Sequence, residues 1–276
     1  MYDTETKSPI STQRINVDGL SIRYADSGAA GPHALLLSPW PESLFAFEAS
    51  WAALTRQAHV VAVDLPGFGQ SDSRDDLFSP RATADFLIRV MDALSLERVH
   101  VVGPDVGTSA ALFAAAAHPD RFHSVVVGSG GTSFPLELGE PLAGWVTGDL
   151  DQYRAQDPEQ VITATMAQIN PARPIPDHIR ADYLASYAGQ RFVDSMLYVR
   201  TYPTELRALG DALPDIQTPV RIIAGAHDPV VPPTNAQYLH ARLPNSALDM
   251  VDAGHFVWEE APATYASLVI EWWKNH

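Results

Sequence analysis

The segment Gly103-Pro104-Asp105-Val106-Gly107 constrains the fold of this chain more than any other part of it. The apolar run Val99–Val102 before it has the length and composition of a buried parallel strand. The alanine-rich stretch Thr108–Ala117 after it predicts a helix. A turn this tight, with the helix packed close to the strand, favours glycine at both ends. Such a Gly-x-nucleophile-x-Gly turn presents a reactive side chain at its centre, here Asp105.

The central residue of this turn is a carboxylate, where a serine hydroxyl or a cysteine thiol would also serve. A carboxylate that attacks carbon leaves an ester, so its targets are strained or activated C–O and C–halogen bonds. The alternative is that Asp105 only caps the helix after a strand, a common role for aspartate. The remainder of the chain favours the nucleophile.

Composition limits the partners and the compartment. The 276 residues suffice for one large core with an inserted lid. A formal net charge of -15 argues against binding to nucleic acid or to anionic membranes. The absence of cysteine excludes disulfides, a thiolate nucleophile and a cysteine-ligated metal. Residues 1–7 do not read as a basic segment followed by an apolar one, so we expect no signal peptide and a cytoplasmic protein.

Short apolar runs alternate with longer amphipathic stretches along most of the chain. The alternation stops over 132–213, where buried-strand signals are missing and helices are predicted near Gln152–Ile169 and Asp177–Thr201. Alternation of this kind predicts an α/β fold with a mostly parallel sheet flanked by helices. We therefore expect a core domain made of residues 1–131 and 214–276, with 132–213 inserted as a helical cap.

Hydrolysis of an ester on Asp105 needs a general base that activates water, and histidine suits this role near neutral pH. His255 follows the apolar run Leu248–Val251 and is the candidate base. A carboxylate must orient that histidine, and Asp228 stands at the end of another predicted strand. Asp252 is the rival acid. The chain order Asp105, Asp228, His255 matches the nucleophile, acid and base order that accompanies such turns.

These residues resemble the epoxide hydrolase and haloalkane dehalogenase branch of the α/β-hydrolase superfamily. The turn around Asp105, the order of the triad and the segment Asp64–Asp72 carry the resemblance, which covers nearly the whole chain and is weakest in the cap. The resemblance implies an α/β-hydrolase fold. It also implies that Asp105 forms the covalent ester and that His255, held by Asp228, hydrolyses it.

The segment Ser38–Ser43 lies where epoxide hydrolases usually carry His-Gly-x-Pro-Glu. Ser and Pro replace the first two residues of that pattern, whereas the Pro-Glu pair is retained. The resemblance implies that the backbone N–H groups of Trp40 and Val106 form an oxyanion hole. It also implies a cis peptide bond between Trp40 and Pro41.

Epoxide and carbon–halogen hydrolysis differ in how the leaving group is held. In epoxide hydrolases cap tyrosines protonate the epoxide oxygen, and Tyr198 and Tyr153 are the candidates here. Dehalogenases hold the halide with N–H donors, commonly a tryptophan or arginine directly after the nucleophile. This chain has Val106 at that place, although Trp145 is an N–H donor within the cap.

The sequence thus predicts a hydrolase that opens an epoxide to a vicinal diol through an ester on Asp105. The alternatives are hydrolysis of a carbon–halogen bond and a non-catalytic ligand-binding relative. The expected substrate is a small, largely apolar electrophile. No cofactor, metal, nucleic acid or membrane partner is expected, and a homodimer is left open.

Overall fold

A computed structural model of the chain describes residues 9–169 and 175–276. Residues 1–7, on which the expectation about a signal peptide rests, lie outside these ranges. Eight strands of the described chain form one sheet in the order β1-β2-β4-β3-β5-β6-β7-β8. The strands are β1 (Thr12–Val17), β2 (Leu20–Asp26), β3 (His33–Leu37), β4 (His59–Val63), β5 (Val99–Pro104), β6 (Phe122–Gly128), β7 (Val220–Gly225) and β8 (Ser246–Val251).

The sheet is parallel from β4 through β8, and β2 pairs with both β1 and β4 in antiparallel fashion. Every residue of β5 and of β7 is buried. Continuous apolar runs of this kind are what a parallel sheet covered by helices requires. The predicted fold class, a mostly parallel sheet flanked by helices, is confirmed.

Twelve α-helices accompany the strands in the described part of the chain. They are α1 (Glu48–Leu54), α2 (Pro80–Ala93), α3 (Val106–Ala117), α4 (Leu142–Thr147), α5 (Leu150–Arg154), α6 (Pro158–Ile169), α7 (Asp177–Ser186), α8 (Arg191–Val199), α9 (Tyr202–Ala212), α10 (Thr234–His240), α11 (Val257–Glu260) and α12 (Pro262–Asn275). Helices α4 to α9 stand between β6 and β7, within the stretch 132–213 that the sequence assigns to a cap.

Both helical stretches predicted within 132–213 are divided in the structure, and the one predicted over Gln152–Ile169 is the end of α5 followed by α6. Before α1 the chain forms a 3₁₀ turn at Leu44–Phe47, which the Ser43 hydroxyl caps by accepting the Phe45 N–H at 3.3 Å. The stretch predicted over 177–201 is two helices, α7 and α8. The chain turns between them at Gly189, whose φ of 64° favours glycine.

A largely buried ionic network joins α7 to β2 and to the loops after β3 and β4. Arg23 of β2 contacts Asp64 at 2.5 Å and Asp182 of α7 at 2.5 Å. Asp182 also accepts hydrogen bonds from the Ser43 hydroxyl at 2.6 Å and from the Gln70 side chain at 2.9 Å. Because Asp182 lies on α7 and these partners lie on β2 and on the loops after β3 and β4, the network holds α7 against those parts of the chain.

In the described ranges, 9–169 and 175–276, no helix has both the length and the apolar character needed to cross a membrane.

Candidate active site

Asp105 occupies the sharp turn between β5 and α3. Its backbone has φ 51° and ψ -123°, a conformation that residues other than glycine rarely adopt. A Cβ on Gly103 would lie 2.6 Å from the carbonyl oxygen of Gly107. A Cβ on Gly107 would lie 3.2 Å from the Cβ of Leu37 on β3. The close approach of helix and strand therefore accounts for both glycines of the motif.

The carboxylate of Asp105 is buried and points at backbone donors. Its Oδ2 accepts a hydrogen bond from the Trp40 N–H at 2.6 Å. The backbone N–H of Val106, the first residue of α3, lies near enough to the carboxylate to lower its pKa. The Trp40–Pro41 peptide bond is cis. The backbone N–H groups of both residues predicted to form the oxyanion hole, Trp40 and Val106, thus lie beside the Asp105 carboxylate.

His255 lies between the two acids that the sequence singled out. Its Nδ1 contacts Asp228 Oδ2 at 2.8 Å, and its Nε2 lies 3.8 Å from Asp105 Oδ1. Asp228 Oδ1 accepts the N–H groups of Val230 and Val231, each at 2.8 Å. An ionised Asp228 keeps a proton on Nδ1, so in neutral His255 the free Nε2 faces Asp105.

The rival acid, Asp252, lies elsewhere. It is exposed and pairs with His227 at 2.8 Å on the surface. Asp105, Asp228 and His255, the expected nucleophile, acid and base, therefore lie together, and Asp252 is not part of this group.

Burial and charge tune the two groups that face each other. Burial raises the pKa of Asp105 to about 6, although His255 and the N–H donors Trp40 and Val106 act in the opposite direction. Burial lowers the pKa of His255, but Asp228 and Asp105 outweigh it, so the pKa lies above its usual value. At neutral pH Asp105 is therefore mostly ionised, as a nucleophile must be.

A cavity of about 40 Å³ opens onto Asp105 and His255. It is lined by Trp40, Pro41, Asp105, Pro141, Leu142, Trp145, Thr165, Val230, His255 and Phe256. Since a water needs roughly 10–15 Å³ on this scale, the cavity accommodates only a few non-hydrogen atoms. The lining residues that the structure describes include no lysine or arginine. Over residues 9–169 and 175–276, no three His, Asp or Glu side chains are placed to hold a metal ion.

The two cap tyrosines are not part of this lining. The Tyr198 hydroxyl donates to the Val106 carbonyl at 2.8 Å and is fully buried. Tyr153 is half-buried with its hydroxyl against Gly144 and Gly148, which leave room for it. The structure does not bring either tyrosine to Asp105 as a leaving-group acid, and that role stays a prediction.

Trp145 of α4 does line the cavity. No residue of the described ranges accepts a hydrogen bond from its indole N–H. This nitrogen is not among the fully buried polar atoms that lack a partner, so it keeps accessible surface. The Trp145 indole N–H can therefore donate a hydrogen bond to a molecule bound in the cavity.

Three further residues near the site were not predicted from the sequence. Glu42 is buried and accepts the Trp258 indole N–H at 2.9 Å, which anchors the loop that carries Trp40. Burial and the charge of Glu259 raise the pKa of Glu42 well above its usual value. The retained Pro-Glu pair was the available signal for Glu42. Trp258 and Glu259 had none.

Most of the chain matches a known protein family. A family model described as alpha/beta hydrolase fold matches residues 35–262. The chain therefore belongs to the α/β-hydrolase family and is a hydrolase.

Individual relatives act on different bonds. The chain is 27% identical to 3-oxoadipate enol-lactonase 1 of Acinetobacter baylyi, over 79% of each chain. It is 26% identical to a 2-hydroxy-6-oxononadienedioate/2-hydroxy-6-oxononatrienedioate hydrolase of Burkholderia vietnamiensis, over the full length of both. The solved structure of epoxide hydrolase CorEH shares the fold, with a TM-score of 0.80 at 21% identity, 95% of this chain and 98% of that one being covered.

Proposed function

We propose that the chain hydrolyses a small neutral electrophile through an alkyl ester on Asp105. The observation that carries the proposal is the division of labour between the two carboxylate oxygens. Oδ2 accepts the Trp40 N–H at 2.6 Å, while Oδ1 lies 3.8 Å from His255 Nε2. The Asp105 side chain lines the cavity. One oxygen is thus held as a future carbonyl, and the other is free to attack carbon.

The first step is attack of Asp105 Oδ1 on the substrate carbon. The new C–O bond forms as the bond to the leaving group breaks, and that group departs with the electron pair. Oδ2 becomes the ester carbonyl and keeps its N–H donor Trp40, with the Val106 N–H beside it. The product of this step is an alkyl–enzyme ester with no charge on Asp105.

In the second step neutral His255 takes a proton from water, and the hydroxide adds to the ester carbon Cγ. The negative charge that develops on Oδ2 is stabilised by the Trp40 and Val106 N–H groups. Collapse releases the alcohol, which needs one proton and receives it from His255. Because Nε2 lies 3.8 Å from Asp105, beyond hydrogen-bond distance, it is free to bind that water.

For the leaving group we favour a halide. An epoxide leaves as an alkoxide that needs a proton near neutral pH, and a tyrosine, with a reference pKa of about 10, can supply it. The described lining of the cavity contains no tyrosine. Trp145 supplies a hydrogen bond but no proton, which suits an anion that departs unprotonated.

Epoxide opening is the second candidate, because Tyr198 lies directly against the turn that carries the nucleophile. Its hydroxyl is 2.8 Å from the carbonyl of Val106, the residue after Asp105. A rotation of that side chain on substrate binding would present a proton donor to the site.

The covalent mechanism is tested with His255→Gln, which removes the base and leaves the nucleophile. Incubated with bromoethane or propylene oxide, this variant should gain the mass of one alkyl group on the peptide that contains Asp105. A wild-type single turnover in heavy-oxygen water should release unlabelled alcohol, since the product oxygen comes from Asp105. Label in the first-turnover product, or full turnover by His255→Gln, would refute the mechanism.

The leaving group is tested by comparing two variants on the same pair of substrates. Trp145→Phe should slow bromide release by about tenfold to a hundredfold, because it removes a donor to developing charge. Tyr198→Phe should leave bromide release unchanged. If Tyr198→Phe instead abolishes diol formation by an enzyme that releases little bromide, the epoxide is the substrate. A wild-type chain that alkylates Asp105 with neither probe would favour the ligand-binding alternative.

A further inference from the structure

The side chain of Trp40 is held by the cap, although its backbone belongs to the core. The indole Nε1–H donates to the Ser195 hydroxyl of α8 at 2.8 Å. That hydroxyl in turn donates to the Phe192 carbonyl at 2.6 Å, so its lone pair is directed to the indole. Trp40 and Ser195 are both buried, with 3% and 0% of their surfaces exposed.

Two aromatic side chains of the cap complete the enclosure. Phe192 stacks on the Trp40 ring, with centroids 5.6 Å apart and planes 16° apart. Trp145 meets the same ring edge-on at 4.8 Å. The hydrogen bond and both ring contacts of the Trp40 indole thus come from α4 and α8. The ring position of Trp40 consequently depends on the docked cap.

We propose that Ser195 is a positioning residue for the oxyanion hole. By holding the Trp40 indole, it keeps the Trp40 N–H on the Asp105 carboxylate, so the docked cap completes the site. This inference rests on the proposed function, in which that N–H stabilises charge on Oδ2 during ester hydrolysis.

The physical reason is that a buried indole N–H must find an acceptor. Without the Ser195 hydroxyl, the buried Trp40 indole N–H would be left without its acceptor, which is costly enough to move the ring. Ring and peptide N–H are joined through one Cα, and a 2.6 Å hydrogen bond is sensitive to small displacements. The donor to Asp105 would then be weakened but not removed.

The test compares three single variants. Ser195→Ala removes the acceptor, and Ser195→Thr keeps a hydroxyl at the same place. Ser186→Ala is the matched control: Ser186 is also fully buried on a cap helix and donates to a carbonyl of its own helix at 2.8 Å. It makes no contact with Trp40, so it should share only the folding cost.

The expected result is slower ester hydrolysis in Ser195→Ala, by about tenfold. Outright removal of an oxyanion donor costs about 10²–10³, so a weakened donor should cost less. Quenched-flow mass spectrometry with bromoethane or propylene oxide should show the Asp105 ester accumulating in this variant. Ser195→Thr should restore most of the rate, and Ser186→Ala should retain the wild-type rate.

A second readout is the pH profile of ester formation. The Trp40 N–H lowers the pKa of Asp105, so a weaker bond in Ser195→Ala should move the acid limb to higher pH. The other titratable groups whose charge bears on Asp105, namely His255, Asp228 and Glu42, are unchanged in this variant. A purely structural role of the serine would not move this limb.

If Ser195→Ala does not fold, Trp40→Phe replaces it, since it removes the indole donor and keeps a ring. Wild-type ester hydrolysis and an unmoved acid limb in Ser195→Ala or Trp40→Phe would overturn the inference while leaving the Asp105 mechanism intact. Failure of the wild-type chain and of His255→Gln to form any Asp105 ester would overturn the proposed function itself.

Discussion

Replacing Asp105, the proposed nucleophile, by its neutral isostere asparagine should stabilise the protein while abolishing turnover. Burial raises the pKa of Asp105 from 3.8 to about 6. At 1.36 kcal/mol per pKa unit, the buried ionised carboxylate lowers the free energy of unfolding by roughly 3 kcal/mol above pH 6. Asp105→Asn removes that charge, and asparagine tolerates the positive φ of this position. We expect Tm to rise by about 6–12 °C.

The stability gain of Asp105→Asn depends on pH, because only the ionised form of Asp105 is destabilised by burial. The folded-state pKa is the higher one, so the penalty is complete above about pH 6 and is relieved as the pH falls toward 3.8. The Tm difference between Asp105→Asn and wild type should therefore shrink by about half between pH 7.5 and pH 5. Scanning calorimetry at both pH values measures it, with intact mass to verify that the asparagine persists.

The control is Asp120→Asn, which removes the same charge from an exposed site. It corrects for the general benefit of lowering a net charge of -15. An Asp105→Asn variant that is no more stable than Asp120→Asn at pH 7.5 would refute the argument that burial destabilises the ionised nucleophile.

Three further outcomes follow from the same geometry. Because ester formation needs ionised Asp105, with a pKa of about 6, kcat/KM should fall about tenfold per pH unit below pH 6; a flat pH-rate profile would contradict this. Asp228→Asn should slow ester hydrolysis by about 10² or more, since it loses control of the His255 tautomer, and single-turnover mass spectrometry should show ester formation preserved. Asp182→Ala should lower the free energy of unfolding in urea by about 3 kcal/mol, because it leaves buried donors unpaired. Asp151→Ala, at an exposed ion pair, should change it by less than about 0.5 kcal/mol.

The fold, and the positions of the residues that we propose as catalytic groups, could be predicted because their determinants are local in sequence. A buried strand, a turn and a helix are consecutive around Asp105, and the two glycines report the steric limits of that turn. His255 and Asp228 each follow an apolar run, and parallel strands bring their carboxyl ends to one edge of the sheet. Their proximity follows from topology, whatever the details of packing.

Helix boundaries were harder to predict from the sequence, because capping and tertiary contacts compete with helix propensity. The loop before α1 is held by Glu42, which is buried against Trp258 from the far end of the chain. No periodicity in the stretch from Glu42 reveals that contact. The same holds for the break at Gly189, which a helical pattern alone passes over.

By itself, therefore, the sequence determined the sheet and the strand–turn–helix unit around Asp105, and it put Asp105, Asp228 and His255 in the chain order that the proposed function requires. The tertiary structure alone decided which side chains of the stretch 132–213 reach the cavity. It places Trp145 in the lining, Tyr198 against the Val106 carbonyl, and Ser195 on the Trp40 indole. These contacts join residues far apart in the chain, between the stretch 132–213 and the remainder of the fold. Side-chain packing there depends on how two sets of helices and loops fit together, and no local pattern encodes that fit.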